Sequence, residues 1–532
     1  MNNAELIVRM LEQSGVRWVF GVPSGPVLPL IDALGRSSVE FVLTASETTA
    51  GFMATVVGEL SGAPGACVAT VGPGATNLTT GVGAAWLDRA PLLGFTCNVP
   101  TAWVDRRIQM RIDHHALFQP LTKATVPLRS ADLAQRLAGG TGLACAEPPG
   151  PVHFDLPEDV ATAMATTTVP PRADHPGHLT DIGQQAADAV TEALAGSRRP
   201  LLVTGLGFTR SRAADQLRRF VERQGLPFVT TLHAKGFVPE SHPNWVGVIG
   251  RARRTDVQRF VERADLVIAV GYDPIEINYE EWIGAKPLVH VDFEPAEVDA
   301  SVAVLANIGG DLDGAIRRLA ELPPGSNDWT ASDFAEHRRR LEAALRPGGE
   351  RLGPQDVLDV LREGFPPDGI LAYDVGAHTH QIATQWRTDR PYTCLSTNGW
   401  SSMGFGMPAA YAARLVHPDR PVIGVVGDGC FHMTAGELNL ARRLNLPVPI
   451  VVLNDGWLGL IKVKQERKHF GLSGTALGDP PTSPPHYFGV PCRAARDVHE
   501  LREALTWALS LDGPSVIEAF VDVEPYSTTV YD

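Results

Sequence analysis

Asp428 stands between two glycines, Gly427 and Gly429, and 24 residues separate Gly429 from Asn454. A carboxylate, an amide oxygen and a nearby backbone carbonyl, that of Gly456, make a hard oxygen donor set. Such a set suits magnesium, which binds through one or two protein groups and leaves its other positions to water and a substrate's phosphates. Gly427 and Gly429 let the backbone come close to those phosphates. For the Gly-Asp-Gly triplet alone the plainer reading is a tight turn between a strand and a helix. The spacing to Asn454-Asp455-Gly456 is what makes the pairing specific.

The elements that must position these residues are legible around them. Residues 425–459 read as a strand, a crossover helix carrying Glu437, Leu438, Leu440, Ala441 and Leu444, and a second, parallel strand ending at Asn454. In a unit of that kind both strands end at one edge of the sheet, so Asp428 and Asn454 are expected to meet there. The pattern resembles the cofactor motif of the thiamine diphosphate enzymes. The resemblance implies that Asp428, Asn454 and the Gly456 carbonyl hold a magnesium diphosphate, with Gly427 and Gly429 beside it.

At 532 residues the chain has room for about three or four domains, and 44% hydrophobic content supports large cores. A formal charge of -14 argues against a general nucleic-acid or anionic-membrane binder. The stretch MNNAELIVRMLEQSGVRWVF carries acidic and polar residues where a signal peptide would need a basic start and a long apolar run, and apolar runs such as 266–270 and 449–453 are too short to span a membrane. A cytoplasmic protein is expected, without membrane or nucleic-acid partners. Six cysteines lack ligand spacing and read as reduced, mostly buried thiols.

From the N-terminus, strands and helices alternate: helix 4–15, strand 18–22, helix 27–34, strand 40–45, a helix after Glu47, strand 66–71, the loop 72–77 and strand 91–97. This is a doubly wound parallel sheet. Glu47, just past a strand end, reads by itself as a helix-start charge. In SETTAGFMATVVGELSGAPGACVATVGPGATN it resembles the glutamate that hydrogen-bonds the aminopyrimidine ring in thiamine diphosphate enzymes. A carboxyl in a dry pocket can share a proton with that ring nitrogen and so prepare the cofactor's reactive carbon. Gly74 and Asn77, in the loop that follows, are the expected cofactor neighbours there.

Residues 109–123, QMRIDHHALFQPLTK, resemble the carboligase pattern, which implies that Gln109 lies near the substrate. A paired proton shuttle at His114-His115 is the competing reading; the spacing favours surface or supporting roles for both. Asp155-Leu156-Pro157 should stop regular structure, and residues 166–178 form a Thr- and Pro-rich linker. A second doubly wound unit begins near 180, with helix 182–194, strand 200–204, helix 213–224 and strand 227–231. Gly205-Leu206-Gly207 is a weak dinucleotide turn, because the third glycine is missing. LHAKGFVPESHPNWVG and ADLVIAVGYDPIEINYEEW resemble the central domain of acetolactate synthases, nearest the flavin-free catabolic branch, so FAD is not expected.

The third domain opens near Gln355. Gly376 and His378, after strand 370–373, are expected at the diphosphate, although a turn with a solvated histidine is an equal reading of His378 alone. Met403 matches the bulky residue that holds the cofactor bent; without the family it would be core packing. Beyond Gly459 come a basic helix, 460–470, a Pro- and Gly-rich loop, 475–485, that could cover the site, and strand 515–521.

The expected fold is α/β, three doubly wound parallel-sheet domains: pyrimidine-binding (1–165), central Rossmann-like (180–325) and diphosphate-binding (353–532). The resemblance implies thiamine diphosphate and Mg2+ as cofactors, with Glu47 and Asp428 meeting across the interface of a homodimer or homotetramer. It implies decarboxylation of a 2-oxo acid, pyruvate among the donors, and transfer to a carbonyl acceptor. Ser46, residues 398–403 and Trp457-Leu458 depart from the catabolic pattern, which leaves the acceptor open. A simple 2-oxo-acid decarboxylase releasing an aldehyde, or a non-catalytic cofactor-binding paralogue, are the alternatives.

Overall fold

The computed structural model describes residues 1–169, 179–478 and 482–530. The expected linker therefore lies outside the described residues from 170 to 178, and the expected 475–485 loop does so at 479–481. The described chain is three doubly wound α/β sheets, distributed over two compact units.

The first unit comprises residues 1–177, 400–419 and 434–448. Its sheet has six strands, all parallel, in the order Glu40–Leu43, Trp18–Gly21, Gly65–Ala69, Leu92–Asn98, Pro151–Pro157, Ala124–Pro127. Continuous apolar runs fill its central strands because helices cover both faces. The last long strand runs through Asp155-Leu156-Pro157 rather than stopping there, and the helix Glu158–Thr162 follows directly. Proline at a strand's final residue removes no needed ladder bond.

Two helices of this unit, Glu47–Ser61 and Pro73–Leu87, cross in close contact. A Cβ at Gly51 would lie 2.6 Å from the Gly81 Cα, and one at Gly81 would lie 2.5 Å from the Gly51 Cα. Only the absence of side chains permits that approach. Ser46 caps the first helix by accepting the Thr49 N–H, and Gly62, at φ +71°, ends it in the left-handed conformation. On its other side lies the helix Gly406–Val416, with Phe405 edge-on to Phe52 at 5.6 Å.

The second unit comprises residues 178–399, 420–433 and 449–532 and holds two sheets. One is six-stranded and fully parallel, in the order Val304–Gly309, Leu288–Asp292, Leu266–Val270, Pro200–Thr204, Phe228–Thr230, Trp245–Val248. The other has seven strands: Cys394–Leu395, Ile370–Tyr373, Val422–Gly427, Pro449–Asn454, Ser515–Phe520, Val490–Ala495 and His486–Tyr487, parallel except for the last pair. Lys235 is buried against this second sheet's helices, its Nζ 2.8 Å from Glu240 Oε1 and 2.8 Å from the Ala383 carbonyl. Glu240 also accepts the Thr388 N–H at 2.8 Å.

The crossover after Gly427 is not the single helix expected. A helix starts at Asp428 itself and ends at Thr434, a 3₁₀ turn covers Ala435–Glu437, and a second helix spans Leu438–Arg443. Between the central and last sheets runs the 15-residue helix Ala331–Leu345. Four of the six cysteines are buried and all are free. Among the described residues no helix is long and apolar enough to cross a membrane.

Candidate active site

In the first unit Glu47 is the first residue of its helix and is 7% exposed. Asn77 lies on the facing helix, and its Nδ2 donates to Glu47 Oε2 at 3.2 Å. Gly51 and Gly81 sit one turn further along the two helices, so the glycine crossing sets the distance between Glu47 and Asn77. Gly74 occupies the same face. A Cβ there would lie 3.1 Å from Glu47 Oε1, so the glycine keeps the second carboxylate oxygen clear.

Gln109 is exposed, beside Met110, whose carbonyl abuts Gly72 at the start of the Pro73–Leu87 helix. Gly72 has φ +67°, and a Cβ would come within 2.4 Å of that carbonyl. Met403 is half-buried. Neither Gln109 nor Met403 is hydrogen-bonded by its side chain to the Glu47 group.

In the second unit Gly427 and Leu453 are register partners, which brings Asp428 and Asn454 to one sheet edge. Asp428 Oδ1 accepts the Gly429 N–H at 2.7 Å and Oδ2 accepts the Gly456 N–H at 2.8 Å. Burial nevertheless pushes its carboxyl above the ordinary range. Asp455 next to it is pushed up to about 8, first by burial and then by the Asp428 charge. A divalent cation at this edge would favour the ionised form of the buried Asp428 carboxyl. Gly456 has φ +73°, and its carbonyl accepts the Leu477 N–H at 2.8 Å, leaving one lone pair for a further partner.

Gly376 caps the helix Ala377–Gln385. The His378 ring lies over two glycines: a Cβ at Gly376 would be 2.7 Å from its Cε1, and one at Gly427 would be 3.3 Å away. His378 is 4% exposed rather than solvated, its Nε2 is buried without a hydrogen-bond partner, and burial pushes its pKa down to about 4. Two glycines and a helix start around a carboxylate-lined loop fit a magnesium diphosphate: the glycines leave space, the helix start offers N–H groups, and Asp428 offers the cation an oxygen. No group of three or more His, Cys, Asp or Glu side chains arranged to hold a metal ion occurs among the described residues.

Several residues around these groups carry no local sequence signal. Glu437, read as an ordinary helix residue, is 2% exposed, and both its oxygens accept the Ala45 N–H at 3.0 Å, which holds the turn leading into Glu47. Burial pushes its carboxyl up, opposed by that N–H, by Thr49 and by the Ser46 backbone. His114 is not at the surface. It is 1% exposed, accepts the Gly72 N–H at Nε2 (3.4 Å), and lies 2.9 Å from Thr96 Oγ1 at Nδ1. Thr96 reaches His153 Nε2 at 2.7 Å, and Asp155 lies 3.6 Å from His114 and 3.4 Å from His115. This buried network underpins the helix bearing Gly74 and Asn77.

In the central sheet the Gly205-Leu206-Gly207 turn is already filled. Glu276 Oε2 accepts the Leu206 N–H at 2.8 Å, and Asp292 Oδ1 would lie 2.3 Å from a Cβ at Gly207. His233 Nδ1 is 2.9 Å from the other Glu276 oxygen.

Comparison with known proteins places these geometries in a family. The model described as "Thiamine pyrophosphate enzyme, N-terminal TPP binding domain" matches residues 1–119. The central-domain model of the same enzymes matches 187–319, and their C-terminal TPP binding domain matches 374–519. Acetolactate synthase large subunit of Corynebacterium glutamicum is 33% identical, covering 98% of this chain and 87% of that protein. Acetolactate synthase 1, chloroplastic, of Oryza sativa subsp. japonica is 31% identical over 97% of this chain and 84% of its own. Acetolactate synthase of Bacillus subtilis is 28% identical over 98% and 93%. With all three models in chain order over the three sheets, and a relative one-third identical along nearly its whole length, the chain belongs to the thiamine pyrophosphate enzymes.

Proposed function

We propose that the protein is a thiamine diphosphate-dependent carboligase of the acetolactate synthase type, which decarboxylates a 2-oxo acid and transfers the acyl unit to a second carbonyl. The observation that carries this reading is Glu47: a carboxylate buried at a helix start, held on one oxygen by Asn77 and kept clear on the other by Gly74. A scaffold protein has no chemical need of it.

When bound, thiamine diphosphate supplies an electron sink for the carbanion that loss of carbon dioxide leaves. The chain's own groups do the rest. Glu47 Oε1 would hold a proton toward the pyrimidine ring, and the Asn77 amide, bonded to Oε2, keeps the carboxyl from turning away. Asp428, Asn454 and the Gly456 carbonyl would hold Mg2+, with Gly427, Gly429, Gly376 and His378 as the residues beside the diphosphate. Met403 would pack against the cofactor, and Gln109 would lie toward the substrate.

The working assembly is a homodimer, or a tetramer of two such dimers, in which Glu47 of one subunit and Asp428 of the other serve one cofactor. Flavin has no part in this reading. Glu276 and Asp292 fill the Gly205–Gly207 turn with negative charge where a dinucleotide phosphate would need bare N–H groups. A purified protein without flavin absorbance is the expected outcome.

The deciding experiment is carbon dioxide release from a panel of 2-oxo acids, pyruvate included, with thiamine diphosphate and magnesium, followed by mass analysis of the product. A two-carbonyl adduct such as acetolactate establishes the carboligase. An aldehyde alone would make the protein a simple decarboxylase, and cofactor binding without release from any acid would favour the non-catalytic alternative.

A further inference from the structure

Glu518 is an acidic residue in an apolar setting. It lies in the middle of the strand Ser515–Phe520, SVIEAF, and is 6% exposed. In the sheet register it pairs with Val452, so it shares a face with Asn454 two residues on. The opposite face carries Ile517 and Ala519, which join Val451 and Leu453 in the core. A buried carboxyl at such a position is costly unless it is hydrogen-bonded.

It has two partners. Asn454 Nδ2 donates to Glu518 Oε1 at 2.7 Å, and the Tyr487 hydroxyl donates to Oε2 at 3.4 Å. Tyr487 in turn stands edge-on to Phe431 at 5.1 Å, and Phe431 belongs to the helix that Asp428 begins. One prop therefore touches both sides of the metal loop.

The chemistry of the pair is asymmetric. A carboxylate only accepts hydrogen bonds, whereas an asparagine amide has one donating and one accepting end. With its NH2 turned to Glu518, Asn454 presents Oδ1 the other way. The reverse rotamer would offer a cation two hydrogens and set two acceptors against each other. We propose that Glu518 is a positioning residue that selects the amide orientation in which Asn454 can ligate the metal, with Tyr487 holding Glu518 in place. The proposal rests on the magnesium reading given above. It also supplies a reason for an amide at this position, since an aspartate would face Glu518 as a second negative charge.

The test uses the full-length protein, titrating Mg2+ at fixed thiamine diphosphate and following cofactor binding by calorimetry. Glu518→Met, which fills the space without accepting a bond, should raise the magnesium needed for half-maximal binding about 10- to 100-fold, the range for partners that orient metal ligands. Glu518→Gln, whose Oε1 can still accept, should stay within about threefold of wild type. An unchanged magnesium requirement in E518M, or equal weakening in E518M and E518Q, overturns the role.

If E518M does not fold, the exchanged pair decides. N454D should weaken magnesium binding, and N454D combined with E518Q should recover about tenfold or more of that loss, because the donor and acceptor are swapped. No recovery overturns the proposal. Wild-type protein that shows no magnesium-dependent binding at all would instead sink the cofactor reading, independently of Glu518.

Discussion

The Asn77 amide donates to Glu47 across 3.2 Å, joining the early turns of two helices whose closest contact, Gly51 against Gly81, lies one turn away. The position of the acid is thus set by helix packing as well as by its own backbone. Glu47→Gln preserves shape and the Asn77 contact but cannot share the same proton. We expect it to keep fold and cofactor affinity while turnover falls about 10²- to 10⁴-fold, as for loss of an acid–base group. Steady-state rates beside calorimetric cofactor binding check this, and unchanged turnover refutes the role.

Gly51→Val tests the packing itself. Its new atoms meet the Gly81 backbone, where a Cβ alone would already lie at 2.6 Å, so the helices must separate. Turnover should drop by about tenfold or more although Glu47 is intact, since a 1 Å displacement can cost about 10²-fold. A fully active variant with a wild-type melting temperature would show that the crossing does not set the acid's position.

Asp428→Ala removes a carboxylate that is buried and bonded to two backbone N–H groups. Magnesium-dependent cofactor binding should be abolished, and a chelator should have the same effect on the wild type. Full-strength binding by calorimetry in either case speaks against the metal assignment.

The buried histidines should cost the protein stability on mild acidification. Burial pushes His153 and His380 down to about 3 each. An unfolded histidine titrates near about 6.5, so below that pH the unfolded chain takes up protons that the folded chain refuses, and stability falls as pH falls. His115 runs the other way. Its hydrogen bond to Asp155 raises its pKa, so its contribution is present below the unfolded value and is lost as pH rises through the folded one. His378, pushed down to about 4, adds to the loss on acidification, while the Asp455 carboxyl, pushed up to about 8, opposes it; each buried histidine contributes up to about 1.4 kcal/mol per pH unit, and removing one ring isolates its share. Melting temperatures from about pH 7 to about pH 5 should fall more steeply for wild type than for His380→Leu; parallel curves would contradict this.

Lys235 and Glu240 form a buried pair between the central sheet and the helix that ends near Gln385. Removing one partner strands a charge, so Lys235→Met should destabilise this unit by about 3–5 kcal/mol, and adding Glu240→Leu should recover most of it. Denaturant unfolding of the single and double variants measures both.

Much of the site was legible in the chain because its residues sit where strands end. Gly427, Asp428 and Asn454 follow apolar β-branched runs, and a parallel crossover brings successive strand ends to one edge whatever the rest of the molecule does. Glu47 was legible for the same reason, and three alternations of strand and helix announced the three sheets. The crossover was misread as one helix because the apolar spacing of Glu437 to Leu444 does not reveal the 3₁₀ turn at Ala435–Glu437.

Sequence alone, then, determined the α/β class, the family and the shared sheet edge of Asp428 and Asn454, since hydrophobic periodicity and motif spacing are local along the chain. Only the tertiary structure decided that Glu437 grips Ala45, that His114 lies buried beneath Gly72, that Glu518 accepts from the Asn454 amide and that Glu276 and Asp292 fill the central turn. Each of those is a polar residue whose partner is distant in sequence. Burial of a polar group follows no periodicity, and which partner satisfies it is settled when the sheets and helices pack.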